Sequence, residues 1–208
     1  MTSITKPANF FGIFRIDDDA RAVYAEAAGI ARVLPRGLAV PVDADDLIAL
    51  VRWAGDTHTP LIPRGSGSSM PGGAIGDGVI VDLSRWRAMG DVDTEHRTIT
   101  VGPGVLRAEV DGAARTCGLR FPVDPSSGAF CTVGGMASTN AAGSHSMHFG
   151  SMRRWVRALD CVFADGSRAL VRRGDPPPRG VPPIDRFLSR AHAGLISAEQ
   201  HDPSVHEG

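Results

Sequence analysis

Apolar and polar positions follow two different periods along this chain, and the changes of period mark its elements. From Asp17 to Leu34 the pattern predicts a helix, opened by Asp17, Asp18 and Asp19, whose carboxylates suit the positive end of a helix dipole. Val40-Pro41-Val42 reads as a short strand. Asp43 then caps a second helix, with Leu47, Leu50, Val51 and Ala54 on one face at helical spacing. Thr59 to Pro63 and Gly78 to Leu83 are the next strands. Strand, helix and strand in this order predict a small parallel unit, because parallel neighbours need a crossover. Further on, a turn at Asp93-Thr94-Glu95-His96 leads into Arg97 to Val101, where Ile99 and Val101 share a face. Leu106 to Cys117 reads as a helix stopped by Gly118. Trp155 to Ala164 is a long apolar strand, and Asp165-Gly166 turns it back into a partner at Ser167 to Val171. The second half therefore reads as mixed and largely antiparallel. Asp175-Pro176-Pro177-Pro178 then excludes helix and central strand. A faintly amphipathic helix around Ile184 to Ile196 and a polar tail follow.

Composition narrows the class. The 208 residues fit one large domain or two small ones, with 42% hydrophobic and 22% charged residues, as in soluble globular proteins. A net charge of -1 gives no electrostatic reason for nucleic acid or an anionic membrane as a partner. With 25 glycines and 15 prolines the chain turns often, which argues against a helical bundle. Cys117, Cys131 and Cys161 form no C-x-x-C pair, so no zinc site or iron–sulfur cluster can be built from them, and reduced cytoplasmic thiols are expected. Met1 to Pro7 lacks the apolar core of a secretory signal, and no apolar run spans a bilayer.

Chemistry concentrates in two segments. The first is Pro63-Arg64-Gly65-Ser66-Gly67-Ser68-Ser69-Met70-Pro71-Gly72-Gly73, which leaves the carboxyl end of the strand before it, where open α/β sheets bind ligands. Successive amides without side-chain bulk form a nest for an anion, typically a phosphate. No Lys follows the glycines, so this is not a P-loop, and the full dinucleotide fingerprint is missing. Taken alone, the loop reads equally well as a flexible surface segment. The second segment is Phe121-Pro122-Val123-Asp124-Pro125-Ser126-Ser127-Gly128, continued by Cys131-Thr132-Val133-Gly134-Gly135 and Thr139-Asn140-Ala141-Ala142-Gly143. Its proline-stiffened turn and small residues let a planar ligand lie against backbone. Gly134 and Gly135 are expected at a helix N-terminus, offering amides to a second phosphate or an electron-rich ring edge. Thr132, Thr139 and Asn140 offer side-chain donors and acceptors.

Several other groups carry plainer readings. His145 and His148 lack a third ligand or a carboxylate, and loop histidines of this kind are solvated more often than metal-bound. Arg153, Arg154 and Arg157 read as a solvated strand start rather than an anion site. Ser66, Ser68 and Ser69 sit in no G-x-S-x-G elbow, which argues against hydrolase chemistry. Trp53, Trp86 and Trp155 read as packing residues.

In order, the chain carries Val40-Pro41, Pro63 to Ser69, Val81 to Ser84, Val101 to Val105, Gly118 to Ser127, Thr132 to Gly135, Thr139 to Gly143, Phe149-Gly150 and Ala164 to Gly166. Jointly, over residues 20 to 172, they resemble the FAD-binding (PCMH-type) domain of the vanillyl-alcohol oxidase/p-cresol methylhydroxylase flavoprotein superfamily. The glycolate oxidase/D-lactate dehydrogenase branch is the most similar. The resemblance implies an α+β fold of two α/β subdomains, a small parallel βαβ unit and a larger mixed or antiparallel sheet with helices. It implies that Arg64, Gly65, Ser66, Gly67, Ser68 and Ser69 cradle the FAD pyrophosphate through their amides. Pro125, Ser126, Thr132, Gly134, Gly135, Thr139 and Asn140 would lie along the ribityl chain and flavin ring. Some relatives bond the flavin covalently through a histidine of the first loop; Ser68 stands at the matching position, so non-covalent FAD is expected. Cys131 matches no pattern for a thioether, and buried thiols are usually inert. Arg154 stands where relatives often carry an acid after the Phe149-Gly150 match.

The implied organisation is a helical lead-in over 1–36, an FAD-binding domain over 37–173 with subdomains 37–84 and 85–173, and a Pro-rich linker with a helical tail over 174–208. The implied function is a cytoplasmic FAD-dependent oxidoreductase acting on a small 2-hydroxy acid, with hydride passing to the flavin. The chain ends before a substrate domain, so no catalytic base is assigned and a further domain or partner chain is expected. Two rivals remain: a non-catalytic or split flavin-binding module, and a flavin enzyme acting on another alcohol or a nucleotide sugar.

Overall fold

The computed structural model describes residues 4–201. The chain divides into two compact units, one through Val156 and one from Arg157 on. The first contains a four-stranded sheet ordered β1-β2-β4-β3: β1 (Ile13–Arg15), β2 (Gly37–Val40), β3 (Leu61–Arg64) and β4 (Val79–Asp82). β2 and β3 both run parallel to β4, and β1 is antiparallel to β2. The central strands β2 and β4 are buried along their whole length, which is why Gly78 to Leu83 shows an apolar run rather than an alternation. Val79 and Val81 of β4 pack with Phe10, Ala39 and Leu50 on one side of the sheet; Ile80 packs with Leu38 and Val40 on the other. The expected parallel unit is present, with helix α2 (Ala44–Asp56) crossing from β2 to β3.

Asp43 caps α2, its carboxylate accepting the Asp46 amide at 2.9 Å. Leu50 and Ala54 are buried on the face the periodicity selects. Asp46, with 2% of its surface exposed, is an inward-facing carboxylate. Its Oδ1 accepts the Phe11 amide at 2.6 Å, and its Oδ2 accepts the amides of Gly12 at 2.7 Å and Val42 at 3.1 Å. One helix side chain thereby fixes both the entry to β1 and the exit from β2. The sequence pattern identifies no strand ahead of Asp17, so β1 is an addition to the expected fold.

The first predicted helix is cut short. Helix α1 (Asp18–Val23) is capped by Asp17 and ends at Tyr24. Beyond it the chain turns to meet the glycine loop: the Ala28 amide donates to Gly67 O at 3.0 Å, and a Cβ at Gly29 would lie 2.2 Å from Met70 O. These tertiary contacts override the helical pattern to Leu34. The predicted strand at Val40 to Val42 is likewise shifted, since β2 ends at Val40.

Residues 85–156 carry helices α3 (Arg107–Thr116), α4 (Val133–Thr139) and α5 (Ser146–Phe149), then a 3-10 turn at Met152–Trp155. Val123, Cys131, Met136 and Met152 form their core. The Arg97 to Val101 segment makes isolated bridges, Asp93 with Thr98 and Met89 with Val101, rather than a strand. In the second unit, β5 (Ala158–Val162) and β6 (Arg168–Arg172) pair antiparallel around the Asp165-Gly166 turn. Helix α6 (Pro182–His201) follows. The antiparallel sheet of the second half is thus this hairpin alone among the described residues. Among them no helix is long and apolar enough to cross a membrane.

Candidate functional site

The loop after β3 is shaped by what its glycines permit. Gly67 is buried with φ +75°, a left-handed conformation that disfavours any side chain. Its carbonyl accepts the Ala28 amide, which ties the loop to the segment after α1. The amides of Gly65, Ser66, Gly67, Ser68 and Ser69 donate to no protein acceptor among the described residues. Such a run of unpaired donors in a partly buried loop is costly unless an acceptor is supplied. The hydroxyls of Ser66 and Ser68 lie 3.4 Å apart, and Ser69 Oγ accepts the Gly73 amide at 3.3 Å.

Gly65 joins this loop to the second segment. A Cβ placed on it would lie 2.2 Å from Thr132 Oγ1, so only glycine allows so close an approach. Thr132 is buried and caps α4, its Oγ1 accepting the Gly135 amide at 3.3 Å. The two glycine-rich stretches that stand far apart in sequence therefore meet at one side chain.

The second segment departs from the sequence expectation at its helix. The first amides of α4 are already taken: Val133 donates to Val105 O at 2.8 Å, Gly134 to Pro103 O at 2.9 Å, and Gly135 to Thr132 Oγ1. Gly134 and Gly135 thus offer no amide to a phosphate. Gly134 instead allows close packing, since a Cβ there would lie 2.6 Å from Pro103 Cβ. Thr139 Oγ1 donates to Gly135 O at 2.9 Å. Asn140 ends α4 in the left-handed conformation, and its Oδ1 accepts the Arg153 amide at 2.8 Å. Pro125 and Ser126 sit in a turn closed by the Gly128 amide on Pro125 O at 2.8 Å.

Arg107, which the sequence does not single out, holds the stretch leading into this turn from α3. Its Nε donates to Val123 O at 3.0 Å and its Nη2 to Phe121 O at 3.2 Å. Asp111 and Asp124 flank it at 3.7 and 3.5 Å. Burial opposes charge on Asp111, yet the Arg115 and Phe121 hydrogen bonds and Arg107 hold its carboxyl below the usual range. Burial pushes the Cys131 thiol up, away from the reactive thiolate. Contrary to the sequence expectation, His145 does have a carboxylate neighbour, Asp124 at 3.6 Å, brought in from a distant part of the chain; His148 packs edge-on against Phe149, and the described residues contain no metal-ligating cluster. Trp53 packs edge-on against Phe14, while Trp86 donates to Pro41 O at 2.8 Å.

Residues 35–170 match the family described as FAD binding domain. A D-lactate dehydrogenase of Archaeoglobus fulgidus is 34% identical over 128 residues, covering 61% of this chain and 28% of that protein. A D-2-hydroxyglutarate dehydrogenase of Xanthomonas citri pv. viticola is 33% identical over 145 residues, covering 66% and 31%. The glycolate oxidase subunit GlcD of Bacillus subtilis is 28% identical over 179 residues, covering 84% and 36%. The chain thus spans well under half the length of these relatives. In fold it is similar to 6-hydroxy-D-nicotine oxidase of Arthrobacter nicotinovorans, with a TM-score of 0.71 at 23% identity over 84% of this chain and 38% of that one.

Proposed function

The chain belongs to the FAD binding domain family, and from that premise we propose that it holds FAD non-covalently as the cofactor-binding part of an oxidoreductase for small 2-hydroxy acids. The observation that carries the reading is the run of unpaired amides from Gly65 to Ser69, seated against Thr132 of the second segment. That donor set fits a pyrophosphate, whose oxygens accept several hydrogen bonds at once. The residues that would hold FAD are the Gly65 to Ser69 amides at the pyrophosphate, with Arg64 at the base of the loop. Pro125, Ser126, Thr132, Gly134, Gly135, Thr139 and Asn140 would lie along the rest of the cofactor, the glycines by leaving room rather than by donating. Bound FAD supplies the acceptor for a hydride; the protein binds, orients and tunes it.

The names of the relatives, a D-lactate and a D-2-hydroxyglutarate dehydrogenase and a glycolate oxidase subunit, support the substrate class. A substrate domain or partner chain would supply the acid/base group and the cations for the substrate carboxylate. We assign the cofactor domain to residues 37–173, with subdomains 37–84 and 85–173, and residues 174–208 to a linker and tail. Three free cysteines support a reducing, cytoplasmic setting. Non-covalent attachment is favoured by Ser68 in the first loop and by the buried, weakly acidic Cys131 thiol.

The test is to saturate the purified chain with FAD, desalt it, and record the visible spectrum before and after acid precipitation. Flavin absorbance that stays with the folded protein and passes to the supernatant on precipitation is expected. A coloured pellet would exclude non-covalent binding, and a colourless protein would exclude cofactor binding by this chain.

A further inference from the structure

We propose that Arg64 is a positioning residue that holds the Gly65–Ser69 loop in its binding shape from beneath, without touching the phosphates. The proposal rests on the FAD reading. A loop with a run of amides that lack protein acceptors is not held in place by its own backbone hydrogen bonds. Something within the protein must hold it before the anion arrives. Arg64 Nη1 donates to Glu26 O at 2.8 Å and to Ala74 O at 3.1 Å. Those carbonyls belong to the segment after α1 and to the far side of the glycine loop. One guanidinium thus ties the start of the loop to both.

The guanidinium also packs directly against the loop backbone at Gly67. A Cβ at Gly67 would lie 2.5 Å from Arg64 Nη2 and 2.9 Å from its Cζ. The Tyr24 ring lies 5.1 Å from Arg64 Cζ, a cation–π distance. Tyr24 in turn donates its hydroxyl to Asp82 Oδ2 at 2.5 Å, and Asp82 Oδ1 accepts the Ser84 amide at 2.8 Å. Asp82 closes β4, so the series Asp82, Tyr24, Arg64 connects the buried sheet to the loop it supports.

Arg64→Met keeps an unbranched apolar stem and removes the donors and charge; Arg64→Lys keeps the charge, with its donors on a single nitrogen. Amide hydrogen exchange on the FAD-free full chain reads the loop through the Ala28 amide, which is bonded to Gly67 O. In Arg64→Met, Ala28 should lose protection while Ile80 and Val81 of β4 keep theirs, and the FAD dissociation constant should rise about thirtyfold, as for a loop competent only a few per cent of the time. Arg64→Lys should restore much of both. Lost affinity with unchanged Ala28 exchange would make Arg64 a direct phosphate ligand and overturn the proposal. So would loss of protection in β4 as well, which marks a general structural role, or unchanged FAD affinity. If the unaltered chain binds no FAD, the cofactor reading fails, and the Ala28 exchange still reports whether Arg64 orders the loop.

Discussion

Gly65→Ala puts the joint between the two glycine-rich segments under direct strain. The added Cβ would lie 2.2 Å from Thr132 Oγ1, where an ordinary contact needs at least 3.4 Å, so loop and threonine must part by about an ångström. Thr132 is 2% exposed and caps α4, so it has little room to yield. Overpacking of this kind costs about 1–3 kcal/mol. Borne by the position of the loop, that energy weakens FAD binding by about 5–150-fold. Borne by the fold, it lowers the melting temperature by about 2–4 °C per kcal/mol for a chain of this size. Isothermal titration with FAD and thermal melts of the FAD-free chain separate the two. A double-mutant cycle then isolates the contact. Thr132→Ala alone loses the α4 cap, about 1 kcal/mol. In Gly65→Ala/Thr132→Ala, Oγ1 and Cγ2 are both gone and the nearest remaining Thr132 atom, its Cβ, is 3.2 Å away. The pair should therefore bind FAD better than Gly65→Ala. Full FAD affinity and an unchanged melt in Gly65→Ala, or no recovery in the pair, would refute the contact.

Asp46→Ala orphans the amides of Phe11, Gly12 and Val42 in a buried place, and should lower the unfolding free energy by about 3–5 kcal/mol in urea titrations. An effect below 1 kcal/mol would refute its role. Tyr24 is the chain's one tyrosine, and burial, with the hydrogen bond to Asp82, pushes its phenol up to about 12 from 10.0. Its stabilising contribution is fully present below pH 10.0 and is lost as pH rises through about 12. Ultraviolet titration of the folded chain should show phenolate only near that upper value, and a midpoint near 10 before unfolding would contradict it. Asn140→Gly should destabilise less than Asn140→Ala in thermal melts. Both lose the Arg153 contact, but alanine also meets the left-handed backbone at φ 48°, a penalty of about 1 kcal/mol. Equal melting temperatures would refute the backbone argument.

The parts of the fold legible in the sequence are those fixed by local pattern. The apolar run at Val79 to Val81 and the single face of α2 make the parallel unit readable, because burial of β4 and Leu50 is what those patterns encode. The free amides of the first loop are readable for the same reason: glycines and serines leave little to cover them. Tertiary contacts are not encoded locally. Helix α1 stops at Val23 because the chain beyond it must reach Gly67 and Met70. Gly134 and Gly135 look like amide donors until Val105, Pro103 and Thr132 are seen to take the α4 amides. Arg64 and Arg107 show no signal in the sequence for the carbonyls they hold, since those partners lie 10 or more residues away.

The central claim is that the Gly65 to Ser69 amides hold the FAD pyrophosphate, and backbone amide NMR of the chain with FAD and with riboflavin tests it most directly. On saturation with FAD these amides should shift to lower field and gain protection from exchange. Riboflavin, which carries no phosphate, should leave them unmoved. Amides that stay unchanged while FAD saturates the chain would contradict the account, because the cofactor would then be held elsewhere.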